Sequence, residues 1–103
     1  MAALLGWRHT LRMDPTIEHH PQAHRFDAAV DGASGHLDYR LRPGVMTIVH
    51  TEVDRALEGR GVAGALVRAA IEQAQGSGLK VDAVCSYARG YLDRHPELQA
   101  MRA

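Results

Sequence analysis

Three stretches of this chain carry residue types whose spacing points to chemistry. Between an apolar run and an apolar helix lies Gly59-Arg60-Gly61-Val62-Ala63-Gly64. Glycines in a strand-to-helix turn let backbone N–H groups approach a ligand, and the helix N-terminus adds unpaired donors and a partial positive charge. A phosphate or pyrophosphate is the natural guest of such a turn. Cys85 ends a second apolar run just before Ser86, a helix-starting residue, where converging amides stabilise a thiolate. Tyr87 and Tyr91 follow at i, i+4 spacing on one helix face. His50 and Glu52 close the first apolar run, and packing alone does not explain polar groups at the end of a buried strand.

Other candidates carry less. His19, His20 and His24 invite a metal reading, but no acidic or cysteine partner stands at ligand spacing and Pro21 breaks the segment. A surface strand and loop accounts for them, and no metal site is expected. The single cysteine excludes an intramolecular disulfide, and nothing suggests an oxidising compartment. Twelve basic and twelve acidic residues give a formal net charge of zero, without the basic stripe that nucleic acid or an anionic membrane would require. No run is long enough to span a bilayer. The composition, 46% hydrophobic in 103 residues, suits one soluble and cytoplasmic domain, monomeric or in a small homo-oligomer.

The elements that must position these groups follow from periodicity. Residues 1–15 have no clean period and are read as an N-terminal arm, with the domain proper at 16–103. Ile17 to His20 starts a short edge strand. Phe26, Ala28 and Val30 share one strand face, and Leu37, Tyr39 and Leu41 share one on the next, with Asp31-Gly32 as the turn. Val45 to Val53 is apolar on both faces, which argues for a central strand covered on two sides. Its far end places His50 and Glu52 on one face unless a bulge shifts the register. Val62 to Gln75 has helical spacing, with Gly76 as a C′ residue. Leu79 to Cys85 is a second buried strand, and Ser86 caps a last helix to about Arg94, before Pro96. Strand, helix and strand with short connections predict a right-handed parallel crossover. The fold class is α/β (α+β), with an antiparallel meander, a parallel β-α-β crossover and a C-terminal helix.

Gly59 to Gly64 literally matches G-x-G-x-x-G, the dinucleotide fingerprint, but Asp54 to Glu58 intervenes after the strand and the next strand does not end in an acidic residue. No Gly-Lys-Ser/Thr follows, so the P-loop pattern also fails. The residues instead resemble the GNAT superfamily of acetyl-CoA-dependent N-acetyltransferases, whose Gln/Arg-x-x-Gly-x-Gly/Ala motif falls on Glu58-Gly59-Arg60-Gly61-Val62-Ala63. Gly61 and Ala63 match, while Glu58 departs from the Gln or Arg. His50-Thr51-Glu52-Val53, Leu57 to Ala63, Cys85-Ser86-Tyr87 and Tyr91 with His95-Pro96-Glu97 are similar to the short stand-alone subfamily.

The resemblance implies that the fourth and fifth strands splay and that the pantetheine arm of acetyl-CoA lies in the gap, against Thr51 and Val53. It also implies that the pyrophosphate sits on the amides of Arg60 to Gly64, within a cofactor set of Glu58, Gly59, Arg60, Gly61, Val62, Ala63, Gly64, Cys85 and Tyr91. Tyr91 matches the position from which such enzymes protonate the leaving thiolate, whereas Tyr87 is read as core. His50 and Glu52 are candidate bases, or else a strand brace and a solvated carboxylate. Cys85 is either a covalent acetyl-cysteine nucleophile or a small residue beside pantetheine. The acceptor is an amine, on a small molecule or a protein. Two functions stay open: an N-acetyltransferase acting on a primary amine, and a non-catalytic acyl-CoA-binding module acting as sensor or partner.

Overall fold

The computed structural model describes residues 15–103; the arm expected at residues 1–15 falls almost wholly outside the described residues. Five strands form one sheet in the order of the chain: β1 (Thr16–His20), β2 (Arg25–Val30), β3 (Ala33–Arg42), β4 (Val45–Val53) and β5 (Lys80–Ala83). The first four pair antiparallel and β5 pairs parallel to β4. The crossover between β4 and β5 is helix α1 (Val62–Gly76), and α2 (Ser86–Asp93) follows β5. The mixed sheet and its parallel crossover are those expected from the sequence.

Alternation decides which side of the sheet is covered. Phe26, Ala28, Val30, Leu37, Tyr39, Met46 and Ile48 point to one side and are buried. Helix α1 closes over them with Val62, Leu66, Val67, Ala70, Ile71 and Ala74, a stripe at helical spacing. At about 25 cal/mol per Å² of apolar surface, each large side chain in this layer contributes roughly 1.5–3 kcal/mol. Among the described residues no helix covers the other side. β4 is therefore not sandwiched as its apolar run suggested: Val45, Thr47 and Val49 remain half-buried. Leu41, expected inward, is also exposed, because the pairing of β2 ends at Asp38 and leaves this end of β3 without a neighbour on that side.

The register of β4 holds the feature that matters most. Asp38 pairs with His50 and Tyr39 with Ile48, so Val49 has no partner on β3 and forms a bulge. Before it, Met46 and Ile48 point toward the helices. After it the alternation restarts, so Thr51 and Val53 take the helix side while His50 and Glu52 take the open side. The pairing of β4 with β5 stops at the same place: Ile48 faces Ala83, and the amides of Val84 and Cys85 both donate to the Ile48 carbonyl. Beyond Ile48, β4 is bonded to β3 alone, and the two parallel strands part.

Two helix boundaries differ from expectation by one or two residues. The left-handed residue after α1 is Gly78, at φ 72°, rather than Gly76. Helix α2 is capped by Cys85 rather than Ser86, because the thiol sulfur accepts from the Ala88 amide at 3.3 Å. At the other edge, His19 stacks on Phe26 and bonds Tyr39 Oη at 2.7 Å. Burial, and secondarily His20, holds the His19 ring below its usual range.

Candidate functional site

A cleft of about 360 Å³ opens where β4 and β5 part. It is lined on one side by Thr51, Glu52 and Val53, and on the other by Leu57 to Gly59, Gly61 to Ala63 and Tyr87. The connection Asp54 to Gly61 is shaped by its backbone. A short 3-10 turn at Arg55–Leu57 buries Leu57, and Gly59 and Gly61 then adopt φ of 77° and 78°. At these values a side chain costs roughly 1–2 kcal/mol, which is why glycine stands at both. A Cβ added at either would meet nothing within 4 Å, so both face open space.

Gly61 is the N-cap of α1 and offers no side chain, and the first turn contains no acidic residue. The amides of Val62, Ala63 and Gly64 have no carbonyl one turn back to receive them, and the first intrahelical bond runs from Ala65 to the Gly61 carbonyl. The positive end of the helix dipole is therefore left uncompensated at the rim of the cleft. Not every amide of the turn is free. Arg60 donates to the Leu57 carbonyl at 3.2 Å, so the donors lie later, in the helix itself, than the sequence suggested.

The expected site residues divide accordingly. Thr51, Val53, Glu58, Gly59, Gly61, Val62 and Ala63 come together as cleft wall. Arg60 and Gly64 do not line it. A Cβ on Gly64 would lie 3.6 Å from Cε2 of Tyr91 and 3.8 Å from Oη of Tyr87, so Gly64 also serves the close packing of α1 on α2. Cys85 sits one contact behind the wall: its Sγ is 3.5 Å from Thr51 Oγ1, across the gap between the splayed strands. This places the thiol beside the cleft and at a helix N-terminus at once.

The two tyrosines exchange their expected places. Tyr91 is buried, stacks on His95 at 4.0 Å, and accepts a hydrogen bond from Arg68 Nη1 at 3.1 Å. The hydrogen bond to Tyr91, and secondarily its charge, raises the Arg68 guanidinium further above its usual range. Tyr87, read as core, is 40% exposed and lines the cleft. The i, i+4 spacing put both on one face of α2 but could not say which end of that face meets the gap. Leu57 is the other cleft residue that was not among the expected site residues, although it opens the Leu57 to Ala63 block that carries the resemblance.

His50 and Glu52 stand on the open side, 3.0 Å apart, with His50 outside the cleft and Glu52 at its border. Both are exposed. The helix end, the thiol and the carboxylate thus surround a gap in the sheet that is apolar along one wall and rich in backbone donors at one end. That arrangement suits an extended ligand with a phosphate at one end and a reactive group at the other.

Such a splayed mixed sheet with a glycine-capped helix at its opening is the fold of acyl-CoA-dependent acyltransferases. The chain belongs to the GCN5-related N-acetyl-transferase family, whose profile matches residues 25–101. A solution structure of a GCN5-like candidate N-acetyltransferase from Staphylococcus aureus superposes with a TM-score of 0.69 and 28% identity, over 85% of this chain and 87% of that one. An IAA acetyltransferase from Bacillus cereus shares the fold at a TM-score of 0.52 and 24% identity, over 68% of this chain and 51% of that one. No curated protein matches the chain. Among the described residues no helix is long and apolar enough to cross a membrane.

Proposed function

We propose that the protein transfers the acetyl group of acetyl-CoA to a primary amine, free or on a protein side chain. The observation that carries this reading is the uncompensated N-terminus of α1, opening on a cleft that continues along the unpaired edge of β4. The pyrophosphate binds the amides of Val62 to Gly64. The pantetheine arm lies along β4 beyond Ile48 and completes the backbone bonding that β5 gives up. This brings the thioester to Thr51 and Cys85.

In the direct route the amine nitrogen attacks the thioester carbonyl, a C–N bond forms, the C–S bond breaks, and CoA leaves as thiolate. Glu52, aided by His50, receives the proton that the amine gives up, and a donor at the gap returns one to the thiolate. Tyr87, the cleft tyrosine, is the candidate donor. Tyr91 does not line the cleft, and its hydroxyl is bonded by Arg68, one turn along α1 from Gly64. In the covalent route Cys85 Sγ attacks first, CoA leaves as the thiol, and the amine then takes the acetyl group from the cysteine and restores its S–H. Intact-mass analysis after incubation with acetyl-CoA separates the routes: an acetyl adduct absent in Cys85→Ala marks the covalent one.

The second reading, an acyl-CoA-binding module without efficient chemistry, is favoured by one observation, the withdrawal of Tyr91 from the cleft. Thiol release from acetyl-CoA across a panel of amines decides between them. Turnover above the hydrolytic background with at least one amine supports the transferase. Tight CoA binding without turnover on any supports the module.

A further inference from the structure

The open side of the sheet carries a cluster that shares Glu52 and His50 with the border of the cleft and adds His36 and Asp38, which the acyl transfer does not use. Across β3 and β4, His36 pairs with Glu52 and Asp38 with His50, so four ligating side chains form a block two residues wide on two strands. One ligand atom from each of His36, His50 and Glu52 lies within 4.8 Å of the others. We infer that His36, His50 and Glu52 form a site for a divalent metal ion of the zinc class.

The geometry is close to what such an ion needs. Zinc holds nitrogen and oxygen ligands at about 2.0–2.2 Å, so neighbouring ligand atoms in a tetrahedral shell lie about 3.3 Å apart. His50 Nε2 and Glu52 Oε1 are already 3.0 Å apart. His36 has to close by about 1.5 Å at most, which a side-chain rotation on a surface strand supplies. The His36 and His50 rings lie side by side, tilted by 43° with centroids 5.6 Å apart. Two imidazoles with one carboxylate select zinc, cobalt or nickel over calcium or magnesium, which take oxygen ligands. Three protein ligands leave a fourth position for water.

A second layer is also in place. Asp38 Oδ2 lies 3.6 Å from His36 Nε2, and Arg25 Nε donates to Asp38 Oδ1 at 2.8 Å. With the ion on His36 Nδ1, a closure of about 0.5 Å brings Asp38 into hydrogen-bond range of Nε2, where an anchored carboxylate orients the ring and raises its basicity. The sequence does not show this site because thirteen residues stand between His36 and His50, and only antiparallel pairing brings them together.

Zinc titration of the full chain by calorimetry, with cobalt absorption as a readout of coordination, tests the site without acetyl-CoA or turnover. The expected result is one metal per chain, with affinity lowered at least tenfold in His36→Ala and in Glu52→Gln, and about tenfold in Asp38→Asn. His20→Ala, on the same side of the sheet but two strands away, leaves it unchanged. Circular dichroism confirms that each variant is folded, and Glu52→Gln preserves the strand should His36→Ala disturb it. Absence of saturable uptake, or affinity in His36→Ala and Glu52→Gln equal to that of the unsubstituted protein, overturns the proposal.

Discussion

The two α-helices among the described residues begin in opposite ways beside the same gap. Helix α1 starts at Gly61, with no side-chain cap and no acidic residue in its first turn. Helix α2 starts at Cys85, whose sulfur takes the Ala88 amide and caps the helix itself. Both ends carry the same kind of partial positive charge. One leaves its donors unpaired at the rim of the cleft; the other gives a donor to its own thiol and thereby fixes where that thiol points. An open N-terminus reads as a binding feature, and a self-capped one as a positioning feature.

The sharpest way to break this contrast is to close the open end. Gly61→Asp places a carboxylate over the amides of α1, and CoA affinity measured by calorimetry is expected to fall by about a hundredfold, near 2.7 kcal/mol. Strain at φ 78° lowers the melting temperature as well, yet the variant remains folded by circular dichroism. Unchanged affinity in the folded variant would remove the phosphate reading.

Opening the self-capped end is the converse experiment. Cys85→Ala loses the cap of α2 and is expected to cost about 0.5–1 kcal/mol in chemical denaturation, with little change in CoA affinity. Cys85→Ser restores an acceptor and recovers that stability while removing the thiol. A stability loss that serine does not recover would show that the sulfur acts by packing rather than by capping.

Tyr87→Phe probes the space between the two ends. Its hydroxyl lies beside the first turn of α1, so CoA affinity should fall by a few-fold, about 0.6 kcal/mol, with the fold intact. Tyr91→Phe in parallel should leave affinity nearly unchanged, because that hydroxyl is bonded to Arg68. The reverse order of effects would return the cleft role to Tyr91. The smallest effect belongs to Ser86→Ala. Since Cys85 is the cap, the change should stay within about 0.5 kcal/mol by the same denaturation. A loss near 1 kcal/mol would move the cap to Ser86.

Much of this architecture is legible in the sequence because periodicity and turn chemistry are local. Phe26, Ala28 and Val30 announce a strand face, the stripe from Val62 to Ala74 announces a helix, and two glycines announce where the backbone must turn left-handed. What escaped the sequence depends on contacts between distant residues. Nothing local to Val49 says that β3 will pass it without pairing. Tyr87 and Tyr91 differ only in how far along α2 they meet the gap, which is set by packing of α2 on Gly64. Ser86 was the expected cap, but the bond from the Cys85 amide to Ile48 sets the preceding residue at the helix start, and its sulfur takes the Ala88 amide.

The bulge at Val49 has a consequence for how a ligand enters. A bulged strand bends and twists more strongly, and here it does so where β5 ends, so the backbone itself holds the two strands apart. No backbone bond between β4 and β5 has to be broken for the gap to exist. The cleft is preorganised, and a guest that fits it forgoes the ordering cost that an induced opening would impose. Association should then proceed in a single concentration-dependent phase, as for a site that is open before encounter, and not through a slow conformational step. Deleting Val49 leaves every later side chain on its present side of the sheet but removes the bend, which makes it the substitution-free way to shut the door.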